Sequence, residues 1–269
     1  MSTQYAFSYN HLDIAYRKMG RGKPLVMLHG WGTSGQVLLP LAEMLSDIRT
    51  CYVLDLPGFG HSPAPPHPWA IDDYADMVQS FAKSLDLNPV DLLVHSFGGR
   101  IALKLCAREW GKRAVDKVLI TGGAGMKPKR SVKFHFKKYL AKTLKAPLLL
   151  LSGQAREKAL QALRGTALWK WLGSSDYQKL SGVMRETFVK SVTEHLESCL
   201  PEIPHEVLLL WGRDDEATPL YQGERMEKGI ENAALVTIEH AGHYAFLDRP
   251  KHFASITRAF LKGKSSSKR

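Results

Sequence analysis

Residues 92–100 read Leu92-Leu93-Val94-His95-Ser96-Phe97-Gly98-Gly99-Arg100. The apolar run fits a strand buried on both faces, and the glycines open a helical pattern over residues 100–110. A serine between such a strand and helix sits on a sharp turn that lifts its hydroxyl clear of the chain. Small neighbours are needed there because helix and strand pack tightly, and the next amide, on Phe97, points at whatever the hydroxyl attacks. The G-x-S-x-G pattern is incomplete, since Val94 stands at its first glycine. A serine at its free pKa is a poor nucleophile, so this reading demands a base and an orienting acid elsewhere in the chain.

Similar apolar runs flank this one. Residues 25–28, 51–54, 118–120, 207–210 and 235–238 each run into or stop just short of turn chemistry, and residues 7–9 and 14–16 alternate like a leading antiparallel hairpin. Helical spacing covers residues 71–85, 100–110, 220–230 and 251–261. Strands alternating with helices predict an α/β protein: a mostly parallel sheet with helices on both faces.

The alternation breaks at residues 127–204, where the periodicity is helical. One helix is expected around Phe134, Tyr139, Leu140 and Leu144, a second over 156–163 and a third over 185–199, with Trp169, Trp171 and Leu172 as a bulky apolar cluster. The expected organisation is therefore a core of residues 1–126 and 205–263, a helical insertion at 127–204 and a disordered tail at 264–269.

The net charge of +11 is concentrated in that insertion, which holds 15 Lys and Arg against 6 Asp and Glu. Residues 127–145 carry eight Lys and Arg and no acid. A solvated face is the plain reading of such a stripe. The alternatives are docking of an acidic acyl carrier protein or weak contact with an anionic membrane. No nucleic-acid-binding motif accompanies the charge, so nucleic acid is not an expected partner.

The chain of 269 residues is 44% hydrophobic, which excludes a disordered chain. Its three cysteines form no C-x-x-C pair, so neither a redox couple nor a Cys-rich zinc site is expected. No apolar run nears the ~20 residues of a membrane span, and residues 1–18 lack the apolar stretch of a signal peptide. The expectation is a cytoplasmic protein.

Two further stretches supply partners for Ser96. Gly212-Arg213-Asp214-Asp215-Glu216-Ala217-Thr218-Pro219 offers three carboxylates after an apolar strand. Asp215 is favoured by its place between Gly212 and Pro219, with Asp214 and then Glu216 as rivals. Ala241-Gly242-His243 puts a histidine after the last strand, with His240 as its rival. An acyl-transfer oxyanion needs preorganised donors, and His29-Gly30-Trp31-Gly32 offers the Trp31 amide beside that of Phe97.

These pieces, with Asp55-Leu56-Pro57-Gly58-Phe59-Gly60-His61-Ser62, resemble the α/β-hydrolase superfamily in kind, order and spacing from about residue 24 to 250. The resemblance implies an eight-stranded sheet, a triad of Ser96, Asp215 and His243, and a cap formed by 127–204. The HGWG and DLPGFGHS segments resemble microbial carboxylesterases, among them the pimeloyl-[acyl-carrier-protein] methyl ester esterases of biotin synthesis. The implied activity is hydrolysis of a small-molecule carboxylic ester through an acyl-serine, with Trp31 and Phe97 as oxyanion hole, cap residues Trp169, Trp171 and Leu172 on the substrate, and neither metal nor organic cofactor. Lyase or perhydrolase chemistry, or a ligand-binding receptor on the same fold, are the alternatives.

Overall fold

Alternate side chains of a strand leave on opposite faces, so a strand apolar at every position feeds two cores. Pro24–Leu28 does this: Val26 and Leu28 enter one apolar cluster, Leu25 and Met27 the other. Glu206–Gly212 repeats it, with Val207, Leu209 and Trp211 on one side and Leu208 and Leu210 on the other.

The computed structural model describes residues 3–129, 153–154 and 182–263. Its strands are β1 (Thr3–Tyr9), β2 (Leu12–Gly20), β3 (Pro24–Leu28), β4 (Thr50–Leu54), β5 (Val90–His95), β6 (Val115–Thr121), β7 (Glu206–Gly212) and β8 (Ala233–Ile238). They form one eight-stranded sheet in the order β1-β2-β4-β3-β5-β6-β7-β8. Pairing is antiparallel for β1–β2 and β2–β4 and parallel from β4 onward. The described helices are α1 (Leu39–Leu45), α2 (Ile71–Ser84), α3 (Phe97–Ala107), α4 (Glu109–Ala114), α5 (Gly182–Thr193), α6 (Tyr221–Gly229), α7 (Ala245–Asp248) and α8 (Pro250–Lys262), with 3-10 turns at Gly35–Leu38 and Glu197–Glu202.

Helices cover both faces. Tyr74, Val78 and Phe81 of α2 and Ile101 of α3 pack on one side; Leu41 and Leu45 of α1 and Phe253 and Leu261 of α8 pack on the other. The first turn of α2 is fixed by Asp73, whose carboxylate accepts the Ala70 N–H at 2.7 Å. At the start of β5 lies a buried ion cluster. The fully buried Asp91 accepts hydrogen bonds from Arg49 Nε at 2.9 Å, Lys23 Nζ at 2.6 Å and the Lys117 N–H at 3.2 Å. Lys23 also pairs with Asp116.

Two helical expectations change. The helix after Ser96 starts at Phe97 and breaks at Arg108, whose extended backbone (φ −83°, ψ 154°) begins the separate α4. The helix expected over 185–199 ends at Thr193. Beyond it the Leu196 N–H donates to Gly125 O at 2.9 Å and Leu196 is buried, so this segment is pinned to the loop after β6 rather than continuing the helical ladder. The helices expected near 134–144 and over 156–163, and Trp169, Trp171, Leu172 and the tail at 264–269, lie outside the described residues. Among the described residues no helix is long and apolar enough to cross a membrane.

Candidate active site

Ser96 occupies the junction of β5 and α3 with φ 50° and ψ −105°, a backbone that a non-glycine residue adopts only when its surroundings enforce it. The enforcement is visible. The Ser96 N–H donates to Thr121 O at 3.1 Å, and the Ser96 carbonyl accepts the N–H groups of Gly99 and Ala124, both at 3.0 Å. At Gly98 a Cβ would stand 2.7 Å from Leu28 O, so only glycine lets α3 press against β3. Val94 lies in the core beneath the turn, opposite Leu28, and the left-handed turn forms without a glycine at that position.

The segment after β3 approaches from the other side. A Cβ on Gly30 would lie 2.8 Å from His95 Nδ1 and 3.1 Å from Ser96 Cβ, so glycine brings this loop against the serine. Trp31 and Phe97 are in edge contact at 5.1 Å between centroids, and Phe59 packs on Trp31 at 4.9 Å. Among the described residues no acceptor lies on the Trp31 or the Phe97 N–H. The 55–62 motif buttresses the loop. Asp55 is buried and its carboxylate accepts the Gly35 N–H at 2.7 Å and the His61 N–H at 2.9 Å. Buried His29 accepts the Leu56 N–H on Nε2 at 2.9 Å and therefore donates from Nδ1 to Gly30 O at 2.7 Å. Burial pulls its pKa down to about 4.

Asp215 and His243 meet across the loops after β7 and β8. Asp215 Oδ2 is 2.8 Å from His243 Nδ1. Its Oδ1 accepts the N–H groups of Ala217 at 2.9 Å and Thr218 at 2.8 Å, and the Thr218 hydroxyl lies 2.9 Å from Oδ2. Burial opposes the charge on Asp215, but the hydrogen bond and charge of His243 and the two Thr218 donors outweigh it and hold the carboxyl below its ordinary pKa. The rivals are placed elsewhere: Asp214, Glu216 and His240 are all exposed. His95 lies behind His243, with ring centroids 4.6 Å apart. Its Nε2–H donates to the His243 carbonyl at 3.0 Å, which leaves Nδ1 unprotonated and, among the described residues, unpartnered. Burial and the neighbouring His243 push the His95 pKa down to about 3.

Ser96 and His243 open into one cavity of about 620 Å3, which Trp31, Phe97, Thr218 and Arg100 also line. Helix α5 closes part of its rim with Phe188, Ser191 and Val192. Thr218 and Arg100 were not singled out from sequence. The signal for Thr218 is its three-residue spacing from Asp215; for Arg100 it is a cation one helical turn after Ser96 in the apolar run of 97–103. Among the described residues no cluster of three or more His, Cys, Asp or Glu side chains is placed to hold a metal ion.

A strand–serine–helix turn at the C-terminal edge of a parallel sheet, with an acid–histidine pair from the last two strands, defines the α/β-hydrolase class. The sequence matches the family described as alpha/beta hydrolase fold over residues 23–250, and the chain belongs to that family. It is similar to the AB hydrolase superfamily protein YisY of Bacillus subtilis (strain 168), with 26% identity over 95% of this chain and 98% of that protein. It is also similar to the pimeloyl-[acyl-carrier protein] methyl ester esterase of Neisseria meningitidis serogroup A, with 27% identity over 90% of this chain and 77% of the esterase. Among solved structures it is similar to the esterase EaEST of Exiguobacterium antarcticum, with a TM-score of 0.73, 23% identity and coverage of 98% of this chain and all (100%) of that one.

Proposed function

We propose that this chain is a carboxylic ester hydrolase that works through an acyl-serine on Ser96. The observation that carries the reading is His243, held 2.8 Å from the buried Asp215 and opening with the strained Ser96 into one cavity. A charged Asp215 keeps the His243 proton on Nδ1 and leaves Nε2 as an acceptor for the Ser96 proton. Attack on the ester carbonyl forms a tetrahedral oxyanion, for which the free N–H groups of Trp31 and Phe97 are the proposed donors. His243 then passes the proton to the leaving alcohol, and water repeats the sequence on the acyl-serine. The esterase activity in the name of the Neisseria relative supports the same class of substrate.

Residues 127–204 are proposed as the cap, and Pro128 and α5 are its described parts that reach the cavity. Delivery of the acyl group by an acidic acyl carrier protein is a separate partner proposal. It rests on the basic residues of 127–145 and on that relative's printed activity. Its mark would be a carrier-bound turnover that falls steeply with salt.

A fluorophosphonate probe should label Ser96, and Ser96→Ala should lose both labelling and p-nitrophenyl butyrate turnover while keeping its melting temperature. Turnover equal to the parent would overturn the assignment.

A further inference from the structure

The ester cleavage described above gives no role to a cation that lines the cavity. Arg100 stands on α3 one helical turn beyond Ser96, roughly 6 Å along the axis and on the same face. It is only 7% exposed. One N–H donates to Glu194 O at 2.7 Å. Among the described residues no carboxylate is hydrogen-bonded to it, although the charges of Glu194 and Glu197 reach it. Glu194 is held by Lys104 at 2.7 Å, and Glu197 by the Lys127 N–H at 2.6 Å and Arg225 at 3.2 Å. A guanidinium carries five N–H donors, so most of its fork is without a partner among the described residues. Burial pulls its pKa down to about 10, which leaves it cationic at neutral pH. Among the described residues that line the cavity it is the only Lys, Arg, Asp or Glu. An enclosed cation without a hydrogen-bonded carboxylate among the described residues is costly, and an apolar side chain would fill the same place at lower cost.

We propose that Arg100 recognises a carboxylate carried by the substrate, so that the ester cleaved at Ser96 has an apolar body and an anionic end about one helical turn from the scissile carbonyl. The apolar body lies against Trp31, Met126 and Phe188, and the planar fork takes the carboxylate through two parallel hydrogen bonds. This proposal rests on the Ser96 esterase reading and narrows its substrate class. The carboxylate can sit on the acyl half or on the alcohol half; both present the same group to Arg100.

The test compares kcat/KM for matched ester pairs. One arm sets the p-nitrophenyl monoester of glutaric acid against p-nitrophenyl pentanoate. The other sets the butyrate ester of 4-hydroxybenzoate against that of 4-hydroxybenzamide. The parent protein should favour the anionic member in one arm, and that arm identifies the half. Arg100→Gln should lower the anionic-to-neutral ratio at least tenfold, and Arg100→Lys should restore part of it. No anionic preference in either arm, or a ratio unchanged within twofold in Arg100→Gln, overturns the proposal. If Arg100→Gln does not fold, inhibition of the parent protein decides: glutarate should inhibit at least tenfold more tightly than glutaramide, and equal inhibition overturns the proposal. Fluorophosphonate labelling run in parallel separates the two readings. A labelled enzyme without anionic preference removes the Arg100 role alone, whereas an unlabelled, inactive protein removes the Ser96 reading and this one with it.

Discussion

Asp215→Asn changes one atom and should inactivate the site through a tautomer. Asp215 Oδ1 is committed to two backbone donors, Ala217 N–H at 2.9 Å and Thr218 N–H at 2.8 Å. An amide introduced there must keep its carbonyl oxygen on those donors, because its NH2 has nothing to offer them. The NH2 then faces His243 Nδ1, now 2.8 Å from Oδ2, and donates to it. Nδ1 becomes an acceptor, the imidazole proton moves to Nε2, and the ring can no longer take a proton from Ser96. Loss of the correct tautomer in a serine–histidine–acid site costs about 10,000-fold in kcat, which corresponds to about 5 kcal/mol of barrier. The assay is p-nitrophenyl butyrate hydrolysis near pH 8, with the melting temperature of each variant to show that the fold persists. Asp214→Asn is the control, since that side chain is exposed and should lose less than threefold in kcat. A loss below tenfold for Asp215→Asn, or a larger loss for Asp214→Asn, would refute the tautomer argument.

Two further outcomes concern stability. Asp91→Ala removes the anion that Arg49 and Lys23 share and leaves the buried Arg49 without a carboxylate, while Lys23 keeps Asp116, so it should destabilise by about 3–5 kcal/mol in urea unfolding; a change under 1 kcal/mol would mean that water already screens the cluster. His29 and His95 titrate in the folded state at about 4 and about 3, below the ~6.5 of an unfolded histidine. Between those values the unfolded chain binds more protons than the folded one, so stability is full above pH ~6.5 and falls as pH drops toward the folded values. At pH 5 each histidine should cost about 2 kcal/mol, and unfolding free energies that stay level from pH 7.5 to 5 would contradict their burial as neutral rings.

Much of the architecture could be read from the sequence because it is carried by local features. Apolar strands and glycines at 98, 99 and 30 encode the sheet and the turn at Ser96 without reference to distant residues. The acid was harder. Asp214, Asp215 and Glu216 are consecutive, and what separates them is which one the chain turns inward onto Thr218 and His243. The helical periodicity of the sequence runs past the end of α5 because what ends this helix is tertiary. Its downstream chain is held by Gly125 and by the Arg100 guanidinium on Glu194 O, contacts across 71 and 94 positions that no local periodicity records. Arg100 is not legible in the sequence for the same reason: a charge in an apolar helix acquires its meaning from the cavity it lines.

The parallel sheet explains why residues spread over two hundred positions can form one site. Strands running in the same direction end at the same edge, so each loop leaving β3, β5, β7 and β8 opens onto neighbouring ground. Trp31, Ser96, Asp215 and His243 follow those four strands in turn. The antiparallel β1 and β2 lie at the far side of the sheet and place no side chain on the described lining of the cavity. Spacing between the motifs is then free to vary with the helices, whereas their order is fixed by the edge. Residues 127–204, the proposed cap, lie in the chain between β6 and β7, and β6 stands in the sheet between the serine strand and the acid strand. The segment begins beside the cavity, and α5 holds Phe188 and Val192 on its lining before the chain passes through Glu197–Glu202 to the opposite edge of the sheet, where β7 starts with Glu206 beside Lys117. On the proposed reading, substrate selection can change with this segment while the hydroxyl, imidazole and carboxylate stay just past the ends of the rigid strands.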